Sequence, residues 1–261
     1  MQAGKRYSIW QTANWTRKHI LLFILLDSVP VLLYYFFGFE WLHIPWQPIS
    51  LIGIAVAFYL GFKNNSSYDR LWEARKIWGG IVNTSRSFTV MAREFINNDE
   101  AIENQSAEQL SAIRKSIVHR HVAWLHTLAL QLRKLKKWEH ASKREMELRK
   151  HLGVEYTEKK FEKIKEYISS EEFEYVMSKG NHASHLLSMQ SKEMMRLRQA
   201  GLLEHFRHLE MQALITAFYS LQGKAERIKN FPFPRQYASV NSFFCSHLYS
   251  AFALWYVGCL Y

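Results

Sequence analysis

Histidine and acidic side chains at helical spacing are the residues in this sequence best suited to chemistry. Three histidines, His119, His121 and His126, crowd the run SIVHRHVAWLH. On a helix two residues advance about 200° around the axis, so His119 and His121 face opposite ways and cannot share a metal ion. His182 with His185, and His205 with His208, do have the i, i+3 spacing that places two rings on one face. Glu204 and Glu210 are their only obvious carboxylate neighbours in sequence. The histidines are therefore expected at interfaces or exposed. No phosphate-cradling glycine loop and no HExxH pair occurs, and serines and histidines are too frequent for a Ser–His–Asp set to stand out. The sequence supports no enzyme, and neither a metal nor a cofactor is expected.

A second charged cluster, Asp69, Arg70, Glu73 and Arg75, lies just beyond an apolar stretch. Arg70 and Glu73 stand at i, i+3 and are expected to pair, locking helices together. The stretch before them directs attention to the elements. In ISLIGIAVAFYLGFKNNSSYDRLWEARKIWGG, Leu51, Ile54, Phe58 and Phe62 recur at steps of three and four and form one stripe on a helix. By spacing alone such a stripe fits ordinary helix packing or the lining of a pore shared by identical subunits.

The run Ile20–Phe37 is 18 residues of mostly apolar character, interrupted by Asp27, Ser28 and Pro30. That is close to the shortest helix that spans a bilayer. Asp27 is expected to face protein or water, and Pro30 to kink the helix. Ile49–Phe62 is shorter and fits a helix packed within a bundle. Met1–Lys18 carries Lys5, Arg6, Arg17 and Lys18 without an acid, whereas the loop holding Glu40, Trp41 and Trp46 has no Lys or Arg. The positive-inside rule puts the N-terminus and everything after Lys63 in the cytosol. A third apolar run, Val240–Tyr261, follows the extended elbow FPFPRQY. The expected organisation is a membrane region over 1–62 with helices at 20–37 and 49–62, a cytosolic helical domain over 63–235, and an apolar segment over 236–261.

Hydrophobic content of 48% and aromatic content of 15% exclude a disordered chain. The net charge of +11 is spread among acids, as in Lys134–Arg149, which reads as a salt-bridged helix; nucleic-acid binding is not expected. Cys245 and Cys259 lie in an apolar run and suggest small core or lipid-facing residues, without a disulfide or zinc site. From Tyr68 to Glu226 no proline occurs and apolar residues such as Ile117, Trp124, Leu128 and Leu132 recur at helical spacing, so the domain should be almost wholly helical. Breaks are expected near Asn97–Asp99, at Gly153, around Lys179–Asn181 and at Gly223. The fold class is all-α, with membrane helices continuing into a long cytosolic bundle.

The segments GFKNNSSYDRLWEARKIWGGIVNTSRSF, HRHVAWLHTLALQLR and ERIKNFPFPRQYASVNSFF, in this order, resemble the bacterial branch of the bestrophin family. The likeness runs from about Arg6 to Phe244. It implies a homopentameric channel in the inner membrane, passing small monovalent ions, with three apolar rings lining a neck. The matching residues are Ile54, Phe58 and Phe62, the last within Leu60-Gly61-Phe62. It also implies a further cytosolic constriction, for which Phe206 is the candidate. Eukaryotic relatives conduct chloride under calcium control; characterised bacterial relatives are cation-permeable. The acidic cluster of the calcium clasp has no counterpart here, so no calcium gate is expected. The implied partners are four further copies of the chain, membrane lipid and the permeant ions. The alternative is a non-conducting, membrane-anchored helical scaffold or sensor. One departure stands out: the family's Leu-Pro-Phe-Gly-Met run is absent from the last segment, which is incomplete relative to the family. Codons for Phe252-Ala253-Leu254-Trp255-Tyr256, read one base later, can encode that run, so a frameshift near Phe244 is expected.

Overall fold

The computed structural model describes residues 9–38, 45–136, 146 and 159–231, together with positions 243, 245, 248, 251 and 255. They form an all-α protein with no strand among the described residues. Its helices are α1 (Ile9–Phe37), α2 (Trp46–Glu94), α3 (Ala107–Arg133), α4 (Lys159–Glu162, running into a 3-10 turn over Lys163–Glu166), α5 (Ser170–Met177), α6 (His182–Gln199) and α7 (His205–Asn230). The chain divides into two compact units, Met1–Asp69 with Phe233–Tyr261, and Arg70–Pro232.

In the first unit, α1 and α2 are both long and apolar enough to cross a membrane. α1 continues through Pro30, and Ser28 Oγ donates to the Ile24 carbonyl at 2.6 Å. The side chain of Asp27 lies outside the described residues. The described positions of the last segment are helical. Trp46 and Trp255 pack with ring centroids 4.9 Å apart and planes tilted by 51°, and a Cβ at Gly53 would sit 3.8 Å from Leu248 Cδ1. Seven residues forward on α2 thus correspond to seven residues backward on the last segment, which fixes an antiparallel pair. Gly53 is the point where the small residue lets the two approach. The expected frameshift near Phe244 and the position of Cys259 fall outside the described residues.

The second unit is a bundle in which α3 packs on α6 and α7, and α6 packs on α7. α2 joins it through Ile77, Ile81, Phe88 and Ala92, which share one helix face and are buried with Trp124, Leu186, Met194 and Phe218. Ile117, Trp124 and Leu128 are buried as their spacing predicts, and Leu132 packs at the margin of the core. The starts of α3, α5, α6 and α7 have side-chain caps. Ser106 and Gln109 form a reciprocal capping box on α3, Ser169 caps α5, Asn181 caps α6, and Glu204 accepts from the Arg207 amide on α7. Asn181 also anchors a polar cluster. Gln222 accepts from Trp124 Nε1 at 2.9 Å and donates to Ser184 Oγ at 2.9 Å and Glu226 Oε1 at 2.8 Å, while Asn181 Nδ2 donates to the same Glu226 oxygen at 3.1 Å. The buried amide of Gln222 is thereby satisfied on both sides.

Breaks occur after Glu94 and between Met177 and His182, close to two expected places, whereas Gly153 lies outside the described residues. The break expected at Gly223 does not occur: α7 runs through it to Asn230. A helical glycine costs only about 1 kcal/mol, and buried Gln222 and Ala225 on either side hold the turn. A turn at Gly201 was not foreseen. There φ is +71°, a region that favours glycine, and an added Cβ would collide with the Glu100 carbonyl. The loop before α3 lies against this turn, with Asn97 N donating to Leu202 O and Ile102 N to Ala200 O, both at 3.1 Å. The helical face expected over Lys134–Arg149 is not formed at its start, because α3 ends at Arg133; most of the rest is outside the described residues.

Gly201→Ala is expected to destabilise the protein by at least about 1–2 kcal/mol from backbone strain alone, more with the collision. Gly180→Ala, with open space around it and no positive φ, should stay within a few tenths. Thermal melting of the two purified variants checks the difference.

Candidate functional site

The stripe on α2 is turned away from the rest of its own chain. Ile49 and Val56 are only 1% and 5% exposed, whereas Leu51, Ile54, Phe58 and Phe62 are 69%, 67%, 68% and 58% exposed. Phe58 lies about 200° around the helix from Val56. One side of the helix is therefore packed and the opposite side presents four large apolar side chains. Phe58 and Phe62 meet edge to face, ring centroids 4.6 Å apart, which limits the orientations available to each. Ala55, Ala57 and Gly61, all exposed, flank the stripe on its two sides.

Beyond the stripe, α2 stays helical through Asn64–Asp69, every residue of which is exposed. In the second unit, the junction of α2 with the end of α7 is built from charges. The expected Arg70–Glu73 pair is not formed. Arg70 Nη1 donates to the Phe231 carbonyl at 2.8 Å and Nη2 to the Ile228 carbonyl, while Glu73 Oε1 accepts from Arg227 Nη2 at 2.6 Å. The reason lies in the end of α7. Its last carbonyls have no intrahelical donor and carry the negative end of the helix dipole, so a guanidinium from a neighbouring helix satisfies them better than a partner on its own helix. The pairing of charges between sequence-distant helices left no signal in local spacing. Asp69 is exposed.

Phe206 sits in the first turn of α7 and is 73% exposed. Its backbone is fixed by the Glu204 cap, by the Gly201 turn, and by Arg207, whose Nη1 lies 3.4 Å from Asp99 Oδ2 and whose guanidinium stacks over Phe95. Accepting the Phe206 and Arg207 amides holds the Glu204 carboxyl below the usual carboxylate range.

The histidines differ from expectation. His121 and His208 are buried. His121 lies among Phe88, Trp124 and Phe218, with Nε2 2.9 Å from Ser85 Oγ. Ser85 donates its own hydroxyl proton to the Ile81 carbonyl at 2.7 Å, so His121 Nε2 carries the proton and donates. Burial lowers the His121 pKa to about 4. His208 is also lowered, by burial and then by Arg198 and His205. His119 and His126 flank Tyr167, one edge-on and one stacked, while His182 Nδ1 faces the Val176 carbonyl at 2.9 Å and His185 Nδ1 faces the Tyr175 hydroxyl at 3.4 Å. No group of three or more His, Cys, Asp or Glu side chains among the described residues is placed to hold a metal. What sequence reasoning missed is the buried role of His121; the apolar residues at its i+3 and i−4 positions were the available signal.

This arrangement of helices is that of solved bacterial membrane proteins. A bacterial bestrophin homologue from Klebsiella pneumoniae superposes with a TM-score of 0.72 at 22% identity, over 91% of this chain and 76% of that one, and a mutant form of it scores 0.73 at the same identity over 92% and 77%. The family model described as Bacterial/Fungal Bestrophin protein matches residues 14–254, and the chain belongs to that family. It is 54% identical over 59 residues, 19% of each chain, to a voltage-dependent anion channel-forming protein of Ralstonia nicotianae. It is 22% identical over 193 residues to the voltage-dependent anion channel-forming protein YneE of Escherichia coli O157:H7, covering 74% of this chain and 52% of that one. The chain thus spans about half the length of the second relative and less of the first.

The His121 pKa makes stability depend on pH. The ordinary histidine value near 6.5 applies to the unfolded chain, which takes up a proton before the folded one does. Stability is therefore complete above about pH 6.5 and falls through the window down to about 4, by roughly 3 kcal/mol at most. His121→Phe should flatten this slope. Denaturation midpoints measured from pH 7 to 4 in both proteins check it.

Proposed function

We propose that the chain is a subunit of a homopentameric channel in the cell inner membrane, passing small monovalent ions through a neck lined by Ile54, Phe58 and Phe62. The observation that carries this reading is the stripe itself: large apolar side chains on the side of α2 opposite its packed face, flanked by Ala55, Ala57 and Gly61. Small residues beside a bulky ridge let copies of one helix come close around an axis, with the ridge directed inward. Rings of such side chains make a narrow dry passage that closes by dewetting and opens on a small change of bore. The names of the relatives favour anions as the permeant species. Phe206, held rigidly at the start of α7, is assigned to a second constriction in the cytosolic domain, which spans residues 63–235 and lies between membrane regions at 1–62 and 236–261. Asp69, Arg70 and Glu73 serve as the charged junction beyond the neck, and the N-terminus is cytosolic. The chain acts as a conduit and not as an enzyme.

Purification in detergent followed by planar-bilayer recording tests the proposal. A pentamer is expected, with chloride current that rises several-fold when Phe58→Ala and Phe62→Ala widen and wet the neck. A monomer, or a pentamer whose current is indifferent to both substitutions, would overturn it.

A further inference from the structure

Of the three charged residues beyond the stripe, Asp69, Arg70 and Glu73, only Asp69 takes no part in a tie among the described residues. Glu73 is engaged by Arg227 at 2.6 Å, and Arg70 by the carbonyls of Ile228 and Phe231. Asp69 is exposed and makes no hydrogen bond or ion pair among the described residues. Its neighbours explain why. A helical side chain meets those three and four residues away, and for Asp69 these are Asn65, Ser66, Trp72 and Glu73, none of them a cation. Nothing on its own helix compensates this carboxylate.

Its direction decides what it faces. At about 100° per residue, Leu51, Ile54, Phe58 and Phe62 fall within an arc of about 80°. Measured from Ile54, Asn65 and Asp69 stand at about 20° and 60°, inside that arc, and both are exposed. Phe62 and Asp69 are about 10 Å apart along the helix. Lys63, the other charge that follows the stripe within the first unit, points about 140° away from the middle of the arc. The stripe therefore continues, on its own line, into an uncharged amide and then an acid.

Apolar rings carry no charge, so a neck built from them discriminates between ions of opposite sign through the charges at its mouths. We infer that Asp69 is a selectivity-determining residue: one carboxylate per subunit, repeated around the axis, forms an anionic ring at the cytosolic mouth of the neck and favours cations over anions. The inference rests on the proposed pentamer and its neck. Distance sets the size of the effect. About 10 Å is close to one Debye length at physiological ionic strength and well inside the roughly 30 Å that holds at 0.01 M. The ring therefore acts on ions entering the neck, most strongly in dilute salt. Its sign is opposite to the anion preference that the names of the relatives suggest.

The test measures reversal potentials of the full-length protein in planar bilayers under a sodium chloride gradient, in dilute and in concentrated salt. Asp69→Asn should lower the sodium-to-chloride permeability ratio at least about three-fold in dilute salt and by less in concentrated salt. Asp69→Ser should act alike if the first variant does not assemble. Asp69→Glu should keep the ratio, and Lys63→Gln, which removes the charge on the far side of the helix, should leave it unchanged. A ratio that ignores loss of the carboxylate, that moves as far in Lys63→Gln, or whose change persists undiminished in concentrated salt would overturn the inference. Phe58→Ala, recorded alongside, separates the two readings. If it raises the current while Asp69→Asn leaves the ratio alone, the ring falls and the neck stands. If no variant conducts, or the current is indifferent to Phe58→Ala, both fall.

Discussion

The structure depends on α2 being one unbroken helix that is packed on one side and apolar and uncovered on the other. Its 49 residues amount to about 70 Å at 1.5 Å per residue. Within the second unit, Ile77, Ile81 and Phe88 seat α2 in the core. The weak point is Asn64–Asp69, where all six residues are exposed and most have poor helix propensity. The helix persists because helix propagation is cooperative once long packed segments exist on either side, with Ser67 Oγ bonding back to the Lys63 carbonyl at 2.8 Å.

What seats the packed end is a mixture of apolar burial and two reciprocal polar ties. Arg70 of α2 satisfies the carbonyls that α7 cannot satisfy for itself, and Arg227 of α7 satisfies Glu73 of α2. Each helix supplies the cation for a tie, so neither tie substitutes for the other. The second is largely solvent-exposed and contributes little alone. The first meets carbonyls at the end of the helix dipole that have no other donor among the described residues, so its loss would leave groups there unsatisfied. Deeper in, His121 belongs to the same seating. It is neutral, donates to Ser85 of α2, and packs between Phe88 of α2 and Phe218 of α7. An imidazolium there would be a buried charge without a partner, which places a proton-sensitive element where α2 packs against α3 and α7.

Period and composition sufficed for the helices, because amphipathic spacing is a local property. Ile117, Trp124 and Leu128 could be assigned to a core without knowing what they would meet. The stripe was legible for the same reason, although its exposure was not, since exposure depends on what the remainder of the chain covers. Pairings across distance were illegible. Arg70 has an acid three residues away and ignores it for carbonyls some 160 residues further on, because the end of a helix is a stronger claimant than a flexible surface carboxylate. Gly223 and Gly201 make the same point in opposite directions. A break was expected at Gly223 and not at Gly201, yet only Gly201 adopts a positive φ, with the Glu100 backbone lying against it. Gly223, held between buried Gln222 and Ala225, stays in the helix.

The exposed stripe also has to be reconciled with free energy. Burying a large apolar side chain contributes about 1.5–3 kcal/mol, so Leu51, Ile54, Phe58 and Phe62 together represent an amount of the same order as the stability of a whole domain. A chain in water would not leave them uncovered, and two environments could cover them. Lipid is one, and α1 offers it a broad apolar face: Leu21, Leu22, Ile24, Leu25, Val29, Leu32 and Phe36 are exposed together over an arc of about 160°. α2 differs. Leu51, Ile54, Phe58 and Phe62 fall within an arc of about 80°, bordered by Ala55, Ala57 and Gly61, and only Leu60 is exposed on the opposite side of this stretch. Lipid chains conform to any profile and give no reason for a ridge between two flats. Rigid helices do, because the flats set how closely neighbours approach and the ridge is what remains facing the axis. The shape of the stripe, more than its hydrophobicity, is what argues for copies of the same helix around it.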